Sequence, residues 1–300
     1  MNSNAPKISV VIASIVGPPF IDECVASVYA QKNAPEFEVV VVDCRGAENV
    51  ARLRQKFPQA HFVELTERAS VPKLRRIGAE RARGEIVTII EEHCLAKDDW
   101  LATIANSLTA EYVACGGPVF DYDFTRLRDW VTYFVEYNSS LPPWPDGPTT
   151  FLNGANQAYW RAALLENLAL LDHGYWEATL NPKLLSEGKK FRSVPTMTAY
   201  HRGPFDYFYY LRQRYLFSRA FSGARRGSLS TAKRATYLVA APLVPFLLLA
   251  RMAARVFAKK CRIGSFLASV PLIFPALCVY TVGEWMGYAF GPGRALLEVE

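Results

Sequence analysis

The sequence predicts an α/β domain built on a mixed, mostly parallel sheet, followed by a hydrophobic C-terminal region. Three observations predict it. Between Ile8 and His93, short β-branched runs alternate with helix-spaced stretches, a pattern that implies parallel strands joined by crossover helices. Acidic and imidazole side chains close two of those runs, and in such sheets ligands bind beyond the C-terminal ends of the strands. From Tyr237 onward the apolar residues change from strand-sized runs to long blocks.

The elements follow in order. Ile8–Ser14 is a β-branched run ending at Gly17-Pro18-Pro19, and reads as a strand buried on both faces. Val25, Val28 and Tyr29 have helical spacing. Phe37–Asp43 is a second buried strand, Ala47–Lys56 a helix and His61–Leu65 a third, short strand. Val71–Arg83 reads as a basic amphipathic helix, carrying Lys73, Arg75, Arg76 and Arg81, with Leu74, Ile77 and Ala82 at helical spacing. Gly84 punctuates it, and Glu85–Ile90 is a fourth strand running into Glu91-Glu92-His93. Farther on, Tyr112–Phe120 reads as a strand bent at its glycines, and 141–150 as a proline-rich loop. Helices are expected from about Arg161 to Leu171 and from Trp176 to Gly188, with a last strand-like segment over Phe191–Tyr200.

Composition narrows the classes. The chain is 51% hydrophobic and 21% charged, which excludes a disordered protein. Its net charge of +6 suggests an anionic partner. Arg219, Arg225, Arg226, Lys233 and Arg234 precede the hydrophobic blocks, which favours lipid and diphosphate; no RNA-binding or zinc-finger pattern supports nucleic acid. Six cysteines stand singly, as reduced thiols of a cytosolic domain do, and receive no role. The polar N-terminus has no secretory signal, so the α/β half is expected in the cytosol.

The expected division is an α/β domain over 1–220 and a membrane-associated region over 221–300. The hydrophobic segments are 237–250 and 266–290. The second is long enough to cross a bilayer; the first is short and carries Pro242 and Pro245. Arg251, Arg255, Lys259, Lys260 and Arg262 lie between them. A spanning first segment would strand one basic cluster on the wrong side, so a re-entrant or interfacial one is expected.

The order of these features resembles the family-2 glycosyltransferases, inverting enzymes with a GT-A fold. The resemblance covers about residues 7–220. It is carried by the strand pair Ile8–Ser14 and Val39–Asp43, by Arg75-Arg76-Ile77-Gly78 before a Gly-Glu strand start, by the acidic cluster ending that strand, and by Asn153-Gly154-Ala155-Asn156. It implies transfer of a sugar from a nucleotide-diphosphate donor to a hydroxyl of a lipid, lipid-linked or surface-polysaccharide acceptor, at the cytosolic face of an inner or plasma membrane. A catalytically impaired nucleotide- or lipid-binding scaffold at the membrane is the alternative. A nucleotidyltransferase ranks last, because the loop after the first strand holds a single glycine, Gly17.

The resemblance also implies residue roles. Ser14 and Asp43 belong to the nucleotide site, Asp43 as the strand-end carboxylate that meets the base; the bland reading of Asp43 is a turn former before Gly46. Arg75 and Arg76 are either donor-phosphate contacts or a solvated helix face. Glu91, Glu92 and His93 stand where the family has Asp-x-Asp, the motif that holds a divalent metal, manganese or magnesium, on the diphosphate. That replacement leaves one imidazole in place of a carboxylate. His201 belongs to the same diphosphate region, and Arg212 and Arg214 to diphosphate or lipid headgroups. Asn153, Gly154, Asn156 and Trp176 mark the acceptor region. Glu177 is the expected general base, with Trp176 desolvating its carboxylate; the bland reading is an acidic residue at a helix N-terminus.

Overall fold

The computed structural model describes residues 5–122, 124–172, 174–202 and 206–299. The elements run β1 (Ile8–Ser14), α1 (Phe20–Tyr29), β2 (Phe37–Asp43), α2 (Ala47–Lys56), β3 (His61–Glu64), α3 (Val71–Arg81), β4 (Ile86–Ile90), β5 (Cys94–Ala96), α4 (Trp100–Ser107), β6 (Ala114–Gly116), β7 (Val119–Asp121), α5 (Leu127–Tyr137), β8 (Gly147–Thr149), β9 (Asn156–Trp160), α6 (Arg161–Leu165), α7 (Leu180–Ser186), β10 (Phe191–Ser193), β11 (Ala199–His201), α8 (Tyr207–Arg225), α9 (Thr231–Ala240), α10 (Val244–Lys259), α11 (Ile263–Phe290) and α12 (Ala295–Glu298). They form two compact units, one of residues 1–119 and 144–202, the other of 120–143 and 203–300.

The first unit is built on an eight-stranded sheet in the order β3-β2-β1-β4-β9-β6-β10-β8. β1 pairs in parallel with β2 and β4, β2 with β3, and β6 with β10. β9 is antiparallel to both β4 and β6, and β8 to β10. The mixed, mostly parallel sheet of the sequence reading is therefore present. Helices cover both faces, which is why β1, β2 and β4 could be apolar almost throughout: Val10, Val11, Ile12, Val39, Val41 and Ile89 are fully buried. Each such side chain contributes roughly 1.5–3 kcal/mol by leaving water.

This topology brings four chain segments to one edge. β1, β2 and β4 end there, and antiparallel β9 begins there, with Ile90 opposite Asn156. The strand order reverses direction of growth beside β1 and β4, the position at which open α/β sheets form their crevice.

Several local expectations are corrected. The segment read as one bent strand over 112–120 is two strands, β6 and β7. The helix expected to reach Leu171 stops at Leu165, where the Asn167 amide turns back to donate to the Ala163 carbonyl. The helix expected from Trp176 begins only at Leu180, because Trp176 is drawn into the core and its indole N–H donates to the Leu171 carbonyl.

The second unit is helical apart from the short strand β7, which straddles the division. Thr231–Lys259, which comprises α9, one 3-10 turn and α10, is 29 residues long, and α11 is 28; each is long and apolar enough to cross a membrane. Pro242 lies in that turn and Pro245 in the first turn of α10, so the chain deviates where the sequence suggested a break. Arg251, Arg255 and Lys259, which follow the first apolar segment of the sequence, lie on α10 itself.

Candidate active site

The loop after β1 is held from across the sheet edge. Glu92, following β4, accepts the backbone N–H groups of Ile15 (2.7 Å) and Val16 (2.6 Å) on one oxygen and of Gly17 (3.0 Å) on the other. Its carboxylate is buried and committed to that loop. Desolvation raises its pKa, against the pull of the three N–H donors. Glu92 thus shapes the crevice wall, and the side chains whose ligand atoms cluster beside it are Glu91, His93 and Cys94.

Asp43 closes β2 in the same manner. One oxygen accepts from the backbone of Arg45 (2.8 Å) and Gly46 (3.3 Å), the other from Ser14 Oγ (2.6 Å) and Asn49 Nδ2 (2.7 Å). Four donors fill a carboxylate's acceptor sites, and both Ser14 and Asp43 are fully buried. Asp43 thus closes the turn into α2 and ties the end of β1 to the end of β2.

Arg75 and Arg76 part company, as adjacent residues on a helix must. Arg75 is 3% exposed and its guanidinium lies 3.2 Å from Glu91, so it is no solvated-face residue. Arg76 pairs with Asp172 (2.8 Å) and Glu80 (2.9 Å). Glu91 in turn lies 3.1 Å from His93 Nε2. The His93 ring meets the His201 ring edge-on at 5.0 Å between centroids, and His201 lies opposite Cys94 in the β5–β11 pairing.

A ligand atom from each of Glu91, His93 and Cys94 falls within 4.8 Å of the others. One carboxylate, one imidazole and one thiol form a donor set of borderline softness, which fits a divalent transition ion better than magnesium. Cys94, passed over in the sequence because a lone thiol signals nothing, enters this cluster through its place immediately after His93.

Glu177 arrives from the turn before α7. Its carboxylate packs on the backbone of Gly154, where a β-carbon would come 1.6 Å from Oε1. Burial raises its pKa; the nearby Arg75 charge lowers it and that of Glu91 raises it. Trp176, the neighbour in sequence, packs edge-on against Tyr159 at 5.8 Å inside the core. Because α7 begins three residues later, Glu177 is no helix N-terminal carboxylate.

Of the remaining residues expected in the acceptor region, Asn156 is fully buried: its Oδ1 accepts from Trp100 Nε1 (2.8 Å) and its amide donates to the carbonyls of Pro118 (2.9 Å) and Met197 (2.6 Å). Asn153 Oδ1 accepts from the Ala155 backbone, closing the turn that carries Gly154. Arg212 and Arg214 belong to the second unit. Arg212 pairs with Glu298 (3.2 Å); Arg214 pairs with Glu136 (3.1 Å) and lies over the rings of Tyr210 and Phe217, so its charge is spent inside that unit.

A mixed, mostly parallel sheet of this order defines a GT-A glycosyltransferase domain. The chain belongs to glycosyl transferase family 2, whose model matches residues 9–168. It is 28% identical over 152 residues to polypeptide N-acetylgalactosaminyltransferase 12 of Mus musculus, covering 46% of this chain and 24% of that one. It is 30% identical over 138 residues to glucosyl-dolichyl phosphate glucuronosyltransferase of Haloferax volcanii, covering 44% of this chain and 42% of that one. The chain thus matches between about a quarter and two fifths of the length of these curated relatives. Among solved structures it resembles the mannosyltransferase PcManGT of Pyrobaculum calidifontis in complex with GDP-Man and Mn2+, with a TM-score of 0.58 at 20% identity, covering 96% of this chain and 88% of that one. S. aureus TarS 1-349 in complex with UDP gives a TM-score of 0.50 at 14% identity, covering 93% and 90%. At these identities the structural likeness shows a shared fold.

Proposed function

We propose that this chain transfers a sugar from a nucleotide-diphosphate donor to a hydroxyl group, with inversion at the anomeric carbon, and that Glu177 is the base. The observation that carries the reading is the placement of Glu177. A carboxylate with a raised pKa is held on Gly154, within the electrostatic reach of Arg75 and Glu91. A base in that state takes the acceptor's proton as its oxygen attacks, and a single in-line displacement inverts the configuration. Arg75 keeps Glu91 oriented. Glu91 and His93, with Cys94 beside them, are the residues that would hold a divalent ion; bound there, it would neutralise charge on the diphosphate leaving group. The nucleoside is received by the loops after β1 and β2, which Glu92 and Asp43 hold in shape.

For the acceptor, a lipid-linked substrate at a cytosolic membrane face is the reading that two apolar helices and the dolichyl phosphate in the name of the Haloferax volcanii relative support together. The complexes with GDP-Man and with UDP leave two bases to compare. Calorimetric titration of the solubilised full chain with UDP, GDP and dTDP, each with manganese and with chelator, tests the donor site. Manganese-dependent binding of one nucleotide is expected, lost in Glu91→Ala and His93→Ala. No binding of any of them under either condition would remove the reading.

A further inference from the structure

We propose that the second unit is monotopic: its apolar helices lie in the plane of a single membrane leaflet, and neither crosses the bilayer. This rests on the membrane attachment proposed above and on contacts wholly within the second unit.

The first observation is what α11 packs against. Near its start, Phe266 meets Phe134 of α5 at 5.2 Å and Ser269 Oγ lies 3.5 Å from the Leu127 carbonyl. In its middle, the Tyr207 hydroxyl donates to the Leu272 carbonyl at 2.7 Å. Farther along, Gly283 and Gly287 sit so close to α8 that β-carbons there would meet Ser218 Oγ at 2.1 Å and Ser222 Oγ at 1.9 Å. Just past its end, Arg219 Nε donates to the Gly291 carbonyl at 3.4 Å. α8 therefore runs beside α11 in the same direction from Leu272 to Gly291. At helical rise that is about 28 Å, nearly the full hydrocarbon thickness of about 30 Å.

If α11 crossed, α8 would have to cross with it. α8 cannot. It carries Arg212, Gln213, Arg214 and Arg219, and Arg214 is paired with Glu136 of α5. Even on translocon-insertion scales, each arginine at mid-membrane costs roughly 2.5–3.5 kcal/mol. Laid flat, the same helices keep every one of these groups at headgroup depth or above.

Charge at the ends of α11 is the second observation. At the α10–α11 turn, Arg255 donates to Asn138 Oδ1 (2.6 Å), Lys259 to the carbonyls of Leu141 and Pro143, and Arg262 to Asp121 (2.8 Å). The other end carries Arg219, Arg225 and Arg294. A spanning α11 would send one of two cationic ends to the far side, against the bias that keeps lysine and arginine cytosolic. An in-plane helix leaves both on one side, facing anionic headgroups.

The third is the face left open. Leu243, Phe246 and Leu247, with Leu267, Trp285 and Phe290 of α11, are exposed large apolar side chains on neighbouring helices, which touch through Phe246–Phe274 at 5.2 Å. An apolar face flanked by cations matches a leaflet's acyl chains beneath its headgroups, with burial of roughly 5–10 Å.

The test uses the full chain with Cys44→Ser, Cys261→Ser and Cys278→Ser; Cys24, Cys94 and Cys115 are buried. One version adds Gly264→Cys, at a position whose β-carbon points into open space at the start of α11. A second adds Arg294→Cys, an exposed position just past the end of α11. A third adds Glu67→Cys, an exposed marker on the first unit. A membrane-impermeant maleimide is applied to intact cells and to sealed inverted vesicles. Labelling of all three thiols from one and the same face is expected; labelling of either α11 thiol from the face opposite to Glu67→Cys overturns the in-plane arrangement while leaving attachment standing. Should lipid shield an α11 thiol, a protease site inserted after Lys260 or after Gly293 gives the same reading by the face from which it is cut. A chain not recovered with membranes at all would overturn attachment and arrangement together.

Discussion

The Glu177 carboxylate rests on the Cα of Gly154, with Oε1 only 1.6 Å from where a β-carbon would stand. A glycine in this turn is thus a seat for the proposed base. Gly154→Ala is expected to push the carboxylate aside, since the far end of a side chain yields more easily than backbone. Displacement of about 1 Å costs roughly a hundredfold in kcat, while KM for the donor and Tm change little. Steady-state kinetics with both substrates, beside a thermal melt, checks the split; unchanged kcat would separate Gly154 from the base.

The raised pKa of Glu177 has two opposite consequences with pH. Activity is lost in acid as the base is protonated, so the acid limb of kcat lies above the ordinary glutamate value of about 4.3. Stability runs the other way. A carboxyl whose folded pKa exceeds its unfolded one stabilises fully below the unfolded pKa, and that contribution is lost as pH rises through the folded pKa. Glu177→Gln is therefore expected to match wild-type Tm in acid and to exceed it as pH rises. Glu92 carries a shift of the same sign in both proteins, so the difference between their melts isolates Glu177. An acid limb at or below the ordinary glutamate range would contradict this.

Much of the first unit was legible in the sequence because β1, β2 and β4 are β-branched runs buried on both faces, and such runs have few other solutions. Their ends marked the crevice for the same reason. What the sequence could not resolve was direction. Glu91 and Glu92 are chemically alike, yet the turn between β4 and β5 sends one toward His93 and the other across to the β1 loop. Arg75 and Arg76 likewise differ only by the turn of a helix. Trp176, read beside Glu177 as a site residue, packs against Tyr159 in the core, a partner that no local pattern reveals. Asn156 read as a polar site residue because nothing local reveals that three buried groups on distant segments need its amide. In the second unit, hydropathy exposed the long apolar blocks but not the charged neighbour that α11 packs on.

Glu92→Gln probes the crevice wall. The new amide group can still accept from two backbone donors, but its NH2 would face the N–H left over from Ile15, Val16 and Gly17. An orphaned buried donor costs about 1–3 kcal/mol. A fall in Tm with faster hydrogen exchange at Ile15 to Gly17 is expected, together with weaker nucleotide binding; unchanged exchange there would show that the loop holds itself.

The central claim is that Glu177 removes the acceptor's proton at a donor site which does not otherwise depend on it. The direct measurement compares Glu177→Gln with wild type in nucleotide affinity and in single-turnover transfer, both with manganese present. Affinity within about twofold and transfer slowed by roughly 10²–10⁴ are predicted, the range over which a positioned base acts. Transfer at the wild-type rate, with nucleotide binding intact, would contradict the assignment.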